Sequence, residues 1–247
     1  MNKKMIFPVL TLALAIIACT FNSVTQPTPT NVPPVVQPTV PPVVQPTVPP
    51  VAPPSSTGNV LFQDNFSSSN SGWEVGDYAS GSVGYGNGYY FVKTTKKGVN
   101  MYGAAFQTMT DAVIEVDATE VNGPSNNNTG YGVVCRLQSG TDADMGYYFR
   151  ISGDGYYSAD VASGGNFTTL LTGDDWQTSS AINQGSATNH ILVSCNGNHF
   201  IFEVNGVTLF EGDDSTFVSG DVALMGTTYE DSTSAEFHFN NFVASQP

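Results

Sequence analysis

The sequence predicts an all-β fold, a two-sheet antiparallel jelly-roll sandwich, preceded by a signal peptide and a disordered Pro-rich linker. Three observations carry this. Short runs of alternating apolar and polar residues recur through 58–247, split by Gly, Asn, Asp and Ser turns. Long Leu/Ala/Glu/Lys helix patterns are missing from that stretch. Asn205-Gly206 and Asp154-Gly155 stand between apolar runs as hairpin signals.

Residues 1–18 read as a lipoprotein signal peptide. Lys3 and Lys4 precede an apolar run from Met5 to Ala18 that ends in Ile16-Ile17-Ala18-Cys19. A membrane-spanning helix needs roughly 20 apolar residues, so this run is too short to be one. The small residue before Cys19 marks that cysteine for lipidation. Residues 19–57 then form a disordered tether rich in Pro, Val and Thr. Val-Pro-Pro-Val-Val-Gln-Pro-Thr occurs at 32–39 and again at 40–47. Proline fixes φ and removes amide donors, so the tether favours an extended polyproline rod of about 3.1 Å per residue. The protein is expected outside the cell, lipid-anchored to the outer face of a bacterial membrane.

The formal net charge is −14, from 21 acidic and seven basic residues. Two of the seven lie in the leader, which leaves Lys93, Lys96, Lys97, Arg136 and Arg150. Such a surface argues against nucleic acid and against docking on anionic lipid. With Cys19 committed to lipid, Cys135 and Cys195 remain, and an exported domain favours their pairing as a disulfide. No Cys-x-x-Cys and no histidine cluster suggests zinc. The three histidines, His190, His199 and His238, each sit beside a strand pattern and read as surface.

Twelve strands are expected in 58–247: 60–64, 88–93, 104–106, 112–120, 130–138, 146–152, 156–161, 190–195, 199–204, 207–210, 221–225 and 235–243. Period-two alternation assigns their faces. Ile114, Val116 and Ala118 oppose Glu115, Asp117 and Thr119. Val133, Cys135 and Leu137 oppose Arg136 and Gln138. Phe149 and Ile151 oppose Tyr148 and Arg150, and Tyr157, Ala159 and Val161 oppose Tyr156, Ser158 and Asp160. If these strands neighbour one another, one polar face gathers Glu115, Asp117, Arg136, Tyr148, Arg150 and Tyr156. Rings that stack on sugar C–H faces, beside forked donors and carboxylates, suit a glycan. A solvated face with cross-strand ion pairs explains the same pattern.

Several segments resemble the concanavalin A-like lectin/glucanase superfamily. They are Asp64-Asn65-Phe66 with Gly72-Trp73, Ile114 to Ala118 with Asn122-Gly123-Pro124, Gly130 to Arg136, Tyr148 to Tyr157, Val204-Asn205-Gly206, and Asp214 to Phe217 with Gly220 to Leu224. The nearest look is to bacterial lipoprotein domains of the 3-keto-disaccharide hydrolase type. The superfamily holds lectins, adhesion modules and glycosidases, so the resemblance implies a fold rather than one activity.

Glu115-Val116-Asp117-Ala118-Thr119-Glu120 resembles the Glu-x-Asp-x-x-Glu strand of laminarinase-type retaining glycosidases. That resemblance implies Glu115 as nucleophile, Asp117 as its tuner and Glu120 as acid/base. Retaining chemistry needs carboxyls about 5–5.5 Å apart. Residues five apart on a strand face opposite sides, so a bulge must bring Glu120 round. No cofactor is required; calcium is an option at Asp142 with Asp144, or at Asp213 with Asp214, since acidic loops supply oxygen ligands.

The reading that results is a tethered, monomeric lipoprotein whose domain binds a glycan or another surface polymer without catalysis. A glycoside hydrolase on the same fold is the alternative, and a structural or protein-interaction module the third.

Overall fold

The structure, a computed structural model, describes residues 58–138, 140, 143–231 and 234–247. The expected leader, Cys19, the tether and Asp142 lie outside the described residues. In chain order the strands are β1 (Val60–Asp64), β2 (Gly76–Tyr78), β3 (Gly81–Tyr85), β4 (Tyr90–Thr94), β5 (Met101–Ala104) and β6 (Ala112–Asn122). Then come β7 (Thr129–Leu137), β8 (Gly146–Ile151), β9 (Tyr156–Ser163), β10 (Asn166–Thr169) and β11 (Gln177–Thr178). The last are β12 (Asn189–Asn196), β13 (His199–Val204), β14 (Val207–Asp213), β15 (Asp221–Thr228) and β16 (Ala235–Ser245).

They form two antiparallel sheets. The larger runs β14-β13-β12-β6-β16-β4-β3-β2, with β1 also on β16, and the smaller runs β10-β9-β8-β7-β15-β5, with β11 also on β9. All twelve expected strands are present. The third is shifted to Met101–Ala104, because Phe106 adopts φ 54° and the amides of Phe106 and Gln107 turn to the Asp221 carboxylate at 3.0 and 2.8 Å. β2, β3, β10 and β11 were not expected; they are short, and β2 and β3 are rich in glycine. Asn205 and Gly206 take φ 52° and 79°, as a tight hairpin between twisted strands requires.

The inward residues of both sheets meet in one core. Ile114, Val116 and Ala118 of β6 face Tyr131, Val133 and Phe149 across the gap. Tyr131 stacks on Phe237 with centroids 4.9 Å apart, joining the two sheets through their rings. Each fully buried Phe, such as Phe149, Phe202 or Phe239, contributes roughly 1.5–3 kcal/mol. Cys135 of β7 and Cys195 of β12 are disulfide-bonded, with Cα atoms 6.9 Å apart, so a covalent link also ties sheet to sheet. A second, smaller apolar cluster lies on the other side of β7, β8 and β15, built from Val134, Leu137, Tyr148, Ala223 and Met225.

Alternation holds through β6, β8 and β9 and fails at the end of β7. Val134 pairs with Ala223 and Leu137 with Asp221, so Cys135 and Arg136 together oppose Val222 alone. This is a β-bulge, with Arg136 at φ 54°, and it reverses the phase beyond it. Leu137 therefore joins the second cluster, and Arg136 turns inward over the Phe200 ring, 5.2 Å from its centroid.

Candidate functional site

The six expected binding residues do not share a face. β6 belongs to the larger sheet and β7, β8 and β9 to the smaller, so Glu115 and Asp117 lie on the opposite outer surface from Tyr148, Arg150 and Tyr156. Arg136 is 2% exposed and is held by the main chain: Nε and Nη2 donate to Thr110 O at 3.0 and 2.8 Å, and Nη1 to Phe217 O at 2.7 Å. Tyr148 is on the expected face but fully buried, edge-on to Phe167 and donating to Asp144 Oδ1 at 3.1 Å. Burial raises its phenol pKa well above the ordinary value. Of the six, Tyr156 alone is exposed, at 41%.

A pocket opens beside Tyr156. It holds about 480 Å³ and is lined by Asn126, Asn128, Thr129, Ser152, Asp154, Tyr156, Trp176 and Tyr229. The antiparallel ladder explains its position. β8 ends at Ile151, the Asp154-Gly155 turn returns the chain as β9, and β11 pairs with Tyr156 and Tyr157, which seats Trp176 at the rim. Tyr229, just past β15, donates its amide to Asn128 O at 3.1 Å.

Arg150 supports this pocket from below. Nη2 pairs with Asp160 Oδ2 at 2.6 Å, Nε donates to Ser158 Oγ at 3.0 Å, and Nη1 donates to Tyr229 Oη at 3.2 Å. Its guanidinium lies 5.0 Å from the Trp176 centroid and 5.1 Å from that of Phe167. Trp176 meets Tyr229 edge-on at 5.8 Å. A buried, charge-paired cation thus fixes two rings, while polar groups of the Asn-rich loop and of the β8–β9 turn face the same space. A larger recess of about 610 Å³, lined by residues including Thr108, Asp111, Asn196 and Gln246, contains no aromatic ring and offers nothing for stacking. Trp176, Tyr229, Asn126, Asn128 and Asp154 were not singled out from sequence as ligand contacts. The one available signal was Trp176, a tryptophan in a polar loop outside any strand pattern.

The laminarinase-like triad is not assembled. Asp117 to Glu120 pair in register with β16. The one register shift between Glu115 and Asp117 puts its extra residue in β16, where Asn241 and Phe242 oppose Val116, so β6 itself carries no bulge that would bring Glu120 round. Glu115 and Asp117 point outward and Glu120 points into the sandwich, so the two glutamates cannot flank one bond. Glu115 and Asp117 bracket His190 instead, with Asp117 Oδ1 2.8 Å from Nδ1 and Glu115 Oε2 3.4 Å from Nε2. The Asp117 hydrogen bond holds the His190 pKa above its ordinary value. Burial pushes Glu115 up; for Asp117, hydrogen bonds from His190 and Asn241 outweigh burial and hold it down. Glu120 is 2% exposed, and burial, opposed by the Thr129 hydroxyl and aided by the charge of Asp154, pushes it up to about 7.

The acidic loop residues have local partners. Asp144 accepts from Tyr148 and from Asn100 Nδ2, Asp213 contacts His199 Nδ1 at 3.0 Å, and Asp214 accepts from Tyr147 Oη and the Thr216 amide, both at 2.7 Å. Asp213 and Asp214 face different partners rather than a common ligand.

No protein-family profile and no curated protein matches the chain. Solved structures do. The carbohydrate-binding module CBM66 from Bacillus subtilis aligns with a TM-score of 0.53 at 15% identity, over 71% of this chain and 96% of that one. A Bacillus subtilis protein described as galectin-like in fold gives 0.53 at 12%, over 76% and 96%. A Bacillus licheniformis β-glucanase gives 0.52 at 14%, over 77% and 100%. The fold is a concanavalin A-like, galectin-like jelly roll. At such identities the likeness is one of fold, and the jelly roll's function must be argued from its own residues. Those residues form an aromatic pocket at one end of its smaller sheet.

Proposed function

We propose that this chain is a surface-tethered lipoprotein whose jelly roll binds a neutral glycan, or a similar neutral surface polymer, without catalysis. The observation that carries the reading is the pocket of Tyr156, Trp176 and Tyr229 braced by Arg150. Aromatic faces give apolar contact to sugar C–H groups, and the Asn, Ser and Asp side chains around them give hydrogen bonds to hydroxyls. Arg150 is the domain's one basic residue in this site, and its charge is already paired with Asp160 while Ser158 and Tyr229 accept from it. An acidic sugar would find no free counter-charge, which favours a neutral ligand. Opposite orientation of Glu115 and Glu120 supports binding over retaining hydrolysis. Names of similar folds, a carbohydrate-binding module and a β-glucanase, agree with a glycan ligand. One copy supplies all eight lining residues, so a monomer suffices.

A glycan array probed with the full chain, followed by calorimetry and a hydrolysis assay on each hit, tests this. Tyr156→Ala should weaken binding at least tenfold with little change in melting temperature. Trp176→Ala should abolish it. Unchanged affinity in both variants, or turnover of the bound glycan, sinks the reading. The tether has its own test: Cys19→Ser should move the protein from the membrane fraction to the soluble exported fraction.

A further inference from the structure

Glu120 is the one acidic residue of β6 that points into the sandwich. Its Oε2 accepts a hydrogen bond from the Thr129 hydroxyl at 2.8 Å, across the gap between the sheets. Its Oε1 is buried, and among the described residues it has no hydrogen-bond partner. Oδ1 of Asp154, in the β8–β9 turn, is buried in the same condition. The two carboxyls are neighbours. Gly153, next to Asp154, lies so close to Glu120 that a Cβ there would overlap Oε2, and a Cβ on Gly123 would overlap Oε1. The chain thus folds bare backbone around a carboxylate and leaves one oxygen of each acid without a donor.

Burying such oxygens costs heavily unless a positive group meets them. The domain's bases do not serve. Arg136 and Arg150 are committed elsewhere, Lys93 pairs with Glu236, Lys97 pairs with Asp231, and Lys96 is exposed. We propose that Glu120 and Asp154 bind a hard divalent cation of calcium's size at this end of the sandwich. One strand carboxylate and one turn carboxylate give an irregular set of oxygens, which suits calcium, tolerant of flexible coordination, better than magnesium, which demands a near-ideal octahedron. Main-chain carbonyls and water would complete the shell. Asp154 also lines the neighbouring pocket, but the calcium test below reads thermal stability and so is decided whatever that pocket binds.

Thermal unfolding of the full chain tests it directly. The chain is stripped with EDTA, then titrated with calcium chloride, with magnesium chloride as the comparison. At one hundred times the dissociation constant, calcium should raise the melting temperature by about 5–10 °C. Calorimetry should report one site, and magnesium should do markedly less. Glu120→Gln keeps the shape and removes the charge, so it should erase the calcium shift; Asp154→Asn provides the same test should the first variant fold poorly. A wild-type melting temperature indifferent to calcium, or an equal shift in the variants, overturns the proposal and leaves Glu120 as a protonated, water-bonded acid.

Discussion

Nη2 of Arg150 lies 2.6 Å from Oδ2 of Asp160, on adjacent strands of the smaller sheet, and both side chains are less than a tenth exposed. A pair this deep is a weak source of net stability but a costly one to break, because the survivor keeps its charge in a poor solvent. Asp160→Ala should cost about 3–5 kcal/mol. It should also loosen Trp176 and Tyr229, which rest on the same guanidinium. Urea midpoints and tryptophan fluorescence measure the two effects. A loss under 1 kcal/mol would mean that Arg150 finds another partner. Replacing both members by apolar residues should recover part of the stability while leaving the pocket disordered.

The Cys135–Cys195 bond spans 60 residues and joins β7 to β12 through the core. Closing a loop of that length restricts the unfolded chain, so Cys135→Ala or Cys195→Ala should each lower stability by roughly 2–4 kcal/mol. Reductant should reproduce the loss in the wild type and have no effect on either variant. Equal unfolding midpoints with and without reductant would show the bond to be dispensable.

His190 predicts a pH dependence of the opposite outer face. Its folded pKa is raised, chiefly by the hydrogen bond to Asp117. A raised value means that the contribution is fully present below the unfolded value near 6.5 and fades as pH climbs through the folded one. Asp117 is lowered, so its contribution is present above 3.8 and fades as pH falls. The cluster therefore stabilises most in mildly acidic solution. His190→Gln should cost up to about 1 kcal/mol at pH 5.5 and almost nothing at pH 9, since partly exposed pairs are weak. Urea unfolding at both pH values checks this; a loss that is the same at both would assign His190 a packing role only.

Strand positions and most faces were legible because each depends on local alternation. Ile114, Val116 and Ala118 against Glu115 and Asp117 is a pattern that no long-range contact needs to supply. Three things were not local. Which strands become neighbours is a matter of topology, and β6 went to the other sheet from β7, β8 and β9. What covers an outer face is also invisible to alternation, and Phe167 lies edge-on against the ring of Tyr148. The bulge at Cys135-Arg136 has no glycine or proline to announce it. The pocket was hidden for a related reason: its parts come from a polar loop, a turn, the start of β9, the residue before β11 and the residue after β15, brought together only by folding.

That bulge makes Arg136 the sharpest contrast with the sequence reading, which placed it at a ligand. Three of its nitrogens donate to the carbonyls of Thr110 and Phe217, and its guanidinium covers Phe200. Burial lowers its pKa, as expected for a cation short of water. Arg136→Met would keep the stem and leave both carbonyls without their donors. Charged hydrogen bonds and unsatisfied buried acceptors of this kind are worth about 1–3 kcal/mol each, so a total loss of about 3 kcal/mol is expected. Along β7, Arg136 lies about 20 Å from Thr129 in the pocket wall. Glycan affinity should therefore change less than twofold at temperatures where the variant is folded. Calorimetry below the shifted melting point decides it. A tenfold loss of affinity with full stability would restore Arg136 to a ligand site and contradict the inward orientation.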